Sequence, residues 1–318
     1  MKAESLKILV EKIKGARSIA IAGHKNPDGD SLCSVLALAQ LIKLNFNKDA
    51  ICVYDGNIPD MLDNVPTREK MKYFSHVDLS RKFDLVFVLD YGTKNHIGGF
   101  MPAIEGAKFV IEIDHHKNDN PMGDLCLNDD KSAAVGEIIF YIVKKLNWLR
   151  DETVNNLIAV SILTDTGFFR YSRKGSVLRA MATLVDDGVD IDYLANLLNN
   201  KPRKTILTEA AVVSRTEFFN HGRLAVATID ANDYKNLDGR GETVLSLLGQ
   251  IKGVEYIILL KHQKEKQTGV SLRSKTQPIN EIAEALGGGG HKCAAGAVVQ
   301  DSLENVRAKV LDLFRGVK

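Results

Sequence analysis

Several short apolar runs in the first half of this 318-residue chain end in acidic or imidazole side chains, and that pattern constrains the fold more than any other feature. "RSIAIAG" (17–23) leads into "HKNPDGD", "FDLVFVLDYG" (83–92) carries Asp90, and "KFVIEIDHH" (108–116) closes on Asp114, His115 and His116. "AICVYDG" (50–56) repeats the strand pattern. Between or after these runs lie stretches of helical periodicity: "SLCSVLALAQLIKL" (31–44), "SAAVGEIIFYIVKKLNWL" (132–149) and "ETVNNLIAVSILTDT" (152–166). Runs apolar on both faces that alternate with helices predict an α/β domain with a mainly parallel sheet. In such sheets ligands sit at the carboxyl ends of the strands.

The length suits two domains, each with its own core. "GSVLRAMATLVDDGVDIDYLANLLNNKPRKTIL" (175–207) reads as helices broken by Gly188 and Pro202. From about residue 209 the texture changes. "RLAVATID" (223–230), "VEYIILLKHQ" (254–263) and "TGVSLRS" (268–274) read as strands. "INEIAEALGGGG" (279–290) reads as a helix ending in a glycine run, and "VVQDSLENVRAKVLDLF" (298–314) closes with a helix. The expected division is a first α/β domain over 1–186, a helical connector over 187–208, and a smaller α/β domain over 209–318.

With 42 Lys and Arg against 40 Asp and Glu, the formal net charge is +2, without the basic footprint of a protein that coats long nucleic acid. Short anionic substrates need only a local positive cluster. Cys33, Cys52, Cys126 and Cys293 are scattered with no CxxC pair, as expected of idle thiols in a reducing cytosol. The N-terminal "MKAESLKILVEKIKGARS" has no apolar core of signal-peptide length, and no stretch approaches a membrane span, so a cytoplasmic location is expected.

If the sheet is parallel, His24, Asp28, Asp30, Asp90, Asp114, His115 and His116 converge on one edge, joined by Asp165 from "ILTDTGFFRYS". Carboxylates and imidazoles gathered in that way repel or desolvate one another unless something positive sits between them. Two divalent cations meet that need. Asp and His suit Mn²⁺, Mg²⁺ or Zn²⁺, and the absence of thiolate argues against a structural zinc site. Two metals about 3.5–4 Å apart are the usual apparatus of phosphoester hydrolysis. Singly, each motif has a plainer reading: "NPDGD" as a turn and helix cap formed by Pro27 and Gly29, Asp90 as a strand end, Asp165 as a turn cap. Taken as a set, they point to a metal site.

In order, "HKNPDGD", "VLDYG", "DHH" and "LTDT" resemble the four motifs of the DHH phosphoesterase superfamily. "SLRS" (271–274) and "GGGGHKCAAG" (287–296) are similar to the DHH-associated domain of the first type. The match covers almost the whole chain, and its length is similar to the stand-alone nanoRNase and 3′-phosphoadenosine 5′-phosphate phosphatase subfamily. The resemblance implies that His24 and Asp28 hold one metal, that Asp30, His115 and Asp165 hold the other, and that Asp90 bridges both. It implies that Asp114 orients the loop without ligating and that His116 faces the phosphate as the acid for the leaving oxygen. It also implies that Arg273, Gly288, Gly289, Gly290 and His291 grip the substrate in an interdomain cleft. Cys33 and Cys293 depart from the residues usual at their places, which leaves the ligand set intact and makes sensitivity to oxidation an expectation.

The expected activity is Mn²⁺-dependent hydrolysis of short oligoribonucleotides to mononucleotides, with removal of the 3′-phosphate from 3′-phosphoadenosine 5′-phosphate. A phosphodiesterase for cyclic di-AMP or for linear pApA or pGpG needs the same metals and phosphate grip, so it stays open. A non-catalytic nucleotide sensor would be marked by a degenerate ligand set, and here every expected ligand is present. Long duplex nucleic acid and membranes are not expected partners, and a homodimer is the default assembly.

Overall fold

The computed structural model describes residues 2–118, 120–171, 174–237 and 241–314, apart from the side chains of Asp60 and His291. Two units divide the chain, Met1–Asn200 and Lys201–Lys318. The division falls within the segment expected as a connector.

The first unit runs α1 (Ala3–Gly15), β1 (Ile19–Ala22), α2 (Gly29–Phe46), β2 (Ala50–Tyr54), β3 (Met71–Tyr73), β4 (Leu85–Leu89), α3 (Met101–Glu105), β5 (Val110–Ile113) and β6 (Leu125–Cys126). It continues with α4 (Val135–Leu146), α5 (Glu152–Asp165), α6 (Gly175–Asp186) and α7 (Ile191–Asn199). Its strands form one all-parallel sheet in the order β3-β2-β1-β4-β5-β6. Alternate residues of each strand feed two different cores. Ile19, Ile21, Leu85, Phe87, Leu89, Ile111 and Ile113 pack with residues of α1, α2, α4, α5, α6 and α7. Ala20, Ala22, Val53, Val86, Val88 and Val110 face Phe83, Ile97, Phe100 and Ile104 on the other side. Both faces are covered, which is why the runs read as apolar without alternation.

Helix α2 is buried around most of its circumference, as expected of a helix apolar on all sides. Its N-cap Asp28 accepts from the Ser31 amide at 3.0 Å. Gly29 does not act as a turn former, as "NPDGD" alone suggests; the left-handed residue there is Asn26, with φ 55°. Gly29 is small because α5 lies against it: a Cβ would sit 2.4 Å from the Thr164 side chain.

The second unit runs α8 (Arg203–Ser214), β7 (Glu217–Phe219), β8 (Leu224–Ile229), α9 (Ala231–Asn236), α10 (Glu242–Gly249), β9 (Tyr256–Lys264) and β10 (Gln267–Ser274). Helix α11 (Asn280–Ala285), β11 (Gly289–His291), β12 (Ala294–Val299) and α12 (Leu303–Phe314) follow. The mixed sheet has the order β11-β12-β10-β9-β8-β7. Two sequence expectations need correction here. The glycine run does not simply end a helix, because Gly289–His291 forms β11, and residues 298–299 belong to β12 and not to the closing helix. "AAGAVV" has weak strand propensity, and its pairing with β10 supplies what the local sequence lacks.

Candidate metal centre

The chain leaves β1 toward β2 and β3, then returns to β4 on the other side of β1. The loops after β1 and β4 therefore diverge, which opens the crevice where open α/β sheets bind ligands. His24 and Asp28 follow β1, Asp90 follows β4, and Asp114, His115 and His116 follow β5. Asp165 is the last residue of α5. Expected donors from these four loops and ends fall into three overlapping groups: His24, Asp28 and Asp90; Asp30, His115 and Asp165; Asp90, His115 and His116.

Asp90 lies at the centre. Its backbone is left-handed, with φ 50°, a conformation uncommon outside glycine that turns the side chain out of the strand line. The carboxylate is buried, and Oδ1 accepts no hydrogen bond. Oδ1 lies 3.4 Å from His115 Nε2 and 3.5 Å from His116 Nδ1, while Oδ2 lies 3.7 Å from His24 Nε2. His115 Nε2 is also 3.4 Å from Asp165 Oδ2 and 3.9 Å from Asp30 Oδ2. These separations exceed an ordinary hydrogen bond, so the donors face a shared centre instead of bonding one another. An orphaned buried carboxylate oxygen among imidazole nitrogens and further carboxylates fits divalent cations.

The electrostatics follow from the crowding. Burial pushes His115 down, but Asp90, Asp30 and Asp165 raise it to about 10. His24 is likewise lowered by burial and raised by Asp28 and Asp90, reaching about 9. Burial and the neighbouring carboxylates lift Asp165 to about 6, with His115 opposing. Burial first, and then Asp90 and Asp165, lift Asp30 well above the carboxylate range.

Asp114 sits behind this centre, fully buried. Its Oδ2 accepts from the amides of Tyr91 and Gly92 at 3.0 and 2.8 Å, and its Oδ1 from the His116 amide and Nδ1 at 2.9 and 2.8 Å. One carboxylate thus ties the loop after β4 to the loop after β5. His116 is raised chiefly by its bond to Asp114.

Glu112 was not anticipated from the sequence. It is fully buried in β5 and accepts from the Tyr91 hydroxyl at 2.7 Å, from the Met122 and Gly123 amides at 2.9 and 3.1 Å, and from Asn128 Nδ2. Asn118 donates to the same tyrosine oxygen at 2.6 Å, and Asn128 Oδ1 accepts the Asp114 amide at 3.0 Å. The available signal was a lone charge within "VIEI". Ser34 and Ser161, which bond Asp30, carried no signal, since small polar residues are common inside helices.

In the second unit, alternation along β10 puts Val270 and Leu272 in the core and Gly269, Ser271 and Arg273 on the opposite face. A depression of about 480 Å³ there is lined by Lys261, Gln263, Ser271, Gly288 and Gly296. Arg273 donates to the Leu272 carbonyl at 2.9 Å. Gly288 is glycine because a Cβ would lie 2.1 Å from the Gly296 carbonyl oxygen, and Gly290 because its φ is 143°. Gly289 has open space where a side chain would go. The His291 side chain lies outside the described residues.

A parallel sheet with acids and imidazoles grouped at its switch point has a donor set fit for divalent cations, and the following matches make the chain a phosphoesterase. The model of the DHH family, N-terminal domain, matches residues 18–164, and that of the DHHA1 domain matches 221–316. The chain thus carries a DHH-family N-terminal domain followed by a DHHA1 domain. It is similar to "Bifunctional oligoribonuclease and PAP phosphatase NrnA" of Thermus thermophilus, 29% identical and covering 98% of this chain and 94% of that protein. It is also similar to "Probable bifunctional oligoribonuclease and PAP phosphatase NrnA" of Streptococcus mutans, 28% identical, with 95% and 96% covered. An exopolyphosphatase-related protein from Bacteroides fragilis shares the fold, with TM-score 0.89 at 20% identity over 99% of this chain and 97% of that one.

Proposed function

We propose that this protein hydrolyses short oligoribonucleotides to mononucleotides and removes the 3′-phosphate of 3′-phosphoadenosine 5′-phosphate, using two divalent cations, Mn²⁺ foremost. The observation that carries the reading is the division of the donors into His24 with Asp28 and Asp30 with His115 and Asp165, while Asp90 reaches both His24 and His115. The relatives' names support the substrate class.

In this reading His24 and Asp28 hold one cation, Asp30, His115 and Asp165 hold the other, and Asp90 serves both. When bound, the pair neutralises charge on phosphate oxygens and acidifies a water. His116 does different work from His115. Its Nδ1 is engaged by Asp114, which raises the ring's affinity for a proton and leaves Nε2 to give one to the leaving oxygen. Asp114 orients that ring and ligates nothing. Arg273 and the backbone of Gly288, Gly289 and Gly290 grip a substrate phosphate in this reading; of these, Gly288 lines the depression that also holds Ser271 and Lys261.

The test is a set of initial rates with Mn²⁺ on equal amounts of a 5′-phosphorylated RNA dinucleotide, cyclic di-AMP and 3′-phosphoadenosine 5′-phosphate. The linear dinucleotide and the bisphosphate should be the fast substrates. A dominant rate on the cyclic compound would replace this reading with signal degradation. Asp30→Ala or His115→Ala should lower turnover by about 10²-fold or more while the protein stays folded.

A further inference from the structure

Asp30 reaches the metal centre from the first turn of α2, yet its carboxylate is wholly buried. Its Oδ1 accepts from Ser161 Oγ at 2.5 Å, from Ser34 Oγ at 3.0 Å and from the Gly136 amide at 3.2 Å. Its Oδ2 accepts from the Val135 amide at 2.7 Å and is the oxygen nearest His115 Nε2, at 3.9 Å. The two hydroxyls fill the lone pairs of Oδ1, with the Gly136 amide shared between that oxygen and Ser161 Oγ, whereas Oδ2, with one donor, retains capacity toward the centre. The two amides are the first of α4, whose N-cap Ala134 has no side-chain acceptor, so Asp30 also answers the positive end of that helix.

Ser161 makes the shortest of these bonds, and it accepts the Gly136 amide at 2.9 Å. It sits in the middle of α5, where a serine hydroxyl would ordinarily return to its own helix backbone. Here it points across to α2 and α4. Gly136 permits this: a Cβ at that position would lie 2.0 Å from Ser161 Oγ and 2.7 Å from its Cβ. The hydroxyl of Ser161 thus occupies the space that a side chain on α4 would take.

We infer that Ser161 is a positioning residue for Asp30: its hydroxyl fixes the carboxylate so that Oδ2 presents to the cation, and Gly136 is the complementary vacancy that admits it. The inference rests on the ligand role proposed above for Asp30. It carries a geometric corollary. What the site needs is one hydroxyl at that point, whichever helix carries it, so a serine on α4 opposite a glycine on α5 serves equally.

The test is Mn²⁺ titration of the metal-free protein by calorimetry, with melting curves of the metal-free variants alongside. Ser161→Ala should weaken Mn²⁺ binding about 10- to 100-fold, the usual effect of losing a group that orients a ligand. Ser161→Gly should do the same, and Ser161→Gly/Gly136→Ser should recover to within about threefold of the parent. A purely structural role would lower the melting temperature without that pattern of loss and rescue in affinity. Mn²⁺ affinity unchanged in Ser161→Ala, or a double variant no better than Ser161→Gly, overturns the role of Ser161 while the two-cation reading stands. A parent protein that takes up no Mn²⁺ overturns both.

Discussion

His24 and His115 are held, in the metal-free protein, in the form least suited to binding a cation. The carboxylates around them raise His24 to about 9 and His115 to about 10, so both carry protons at neutral pH. An imidazole must be neutral to ligate, so cation and proton compete for the same nitrogens. Asp165, lifted to about 6, adds a third competitor on the acid side. The sign follows: affinity for Mn²⁺ should rise with pH from below 6 up to the range of the two histidines. At pH 7, binding should expel about two protons or more per protein, one from each imidazole, with Asp30, which burial and its carboxylate neighbours also bias toward the protonated form, adding to the number. Titration calorimetry in buffers of different ionisation enthalpy measures that number. Binding with no proton release would mean that neither histidine is a ligand or that their charges are not set by Asp28, Asp30 and Asp90.

At the scale of elements, the site depends on how closely α2 and α4 approach α5. Gly29 against Thr164 and Gly136 against Ser161 are the two points where a missing Cβ sets the distance. Gly29→Ala would drive a methyl group into Thr164 and displace the first turn of α2, which carries Asp28 and Asp30. Overpacking of this kind costs about 1–3 kcal/mol, and urea unfolding should show it. An unchanged midpoint would mean that the helices separate freely there. The sequence revealed the long elements of this arrangement well, because β1, β2, β4 and β5 are continuous apolar runs, α4 is a long periodic one, and α2 and α5 are apolar stretches too long, at 18 and 14 residues, for ordinary strands. It did not reveal β3 or β6, which are only three and two residues long and owe their extension to a neighbouring strand. The donors at strand ends were legible as residues. The bonds that aim them were not, since Glu112 and Ser161 act across elements distant in sequence, and Ser34, one turn from Asp30 in α2, is an ordinary small polar residue of a helix.

At the scale of the whole molecule, charge limits what the chain can hold. The surplus of positive over negative side chains is only +2, so the molecule as a whole exerts little net attraction on a polyanion. Binding of a long strand would draw on many phosphates and release many counterions. Binding of a short one would not. Each phosphate neutralised on a single strand contributes a slope of about 0.7 to the dependence of log KM on log salt. A dinucleotide gripped at two phosphates should therefore give a slope of about 1.4, and 3′-phosphoadenosine 5′-phosphate a similar one. KM measured from low to moderate salt, with Mn²⁺ held saturating, gives the value directly. The same measurement on a longer single-stranded oligoribonucleotide separates the readings, because a slope of about 4 or more there would require contacts to six or so phosphates. That result would move the protein from the recycling of short fragments to the handling of long single strands, whatever its metal centre does.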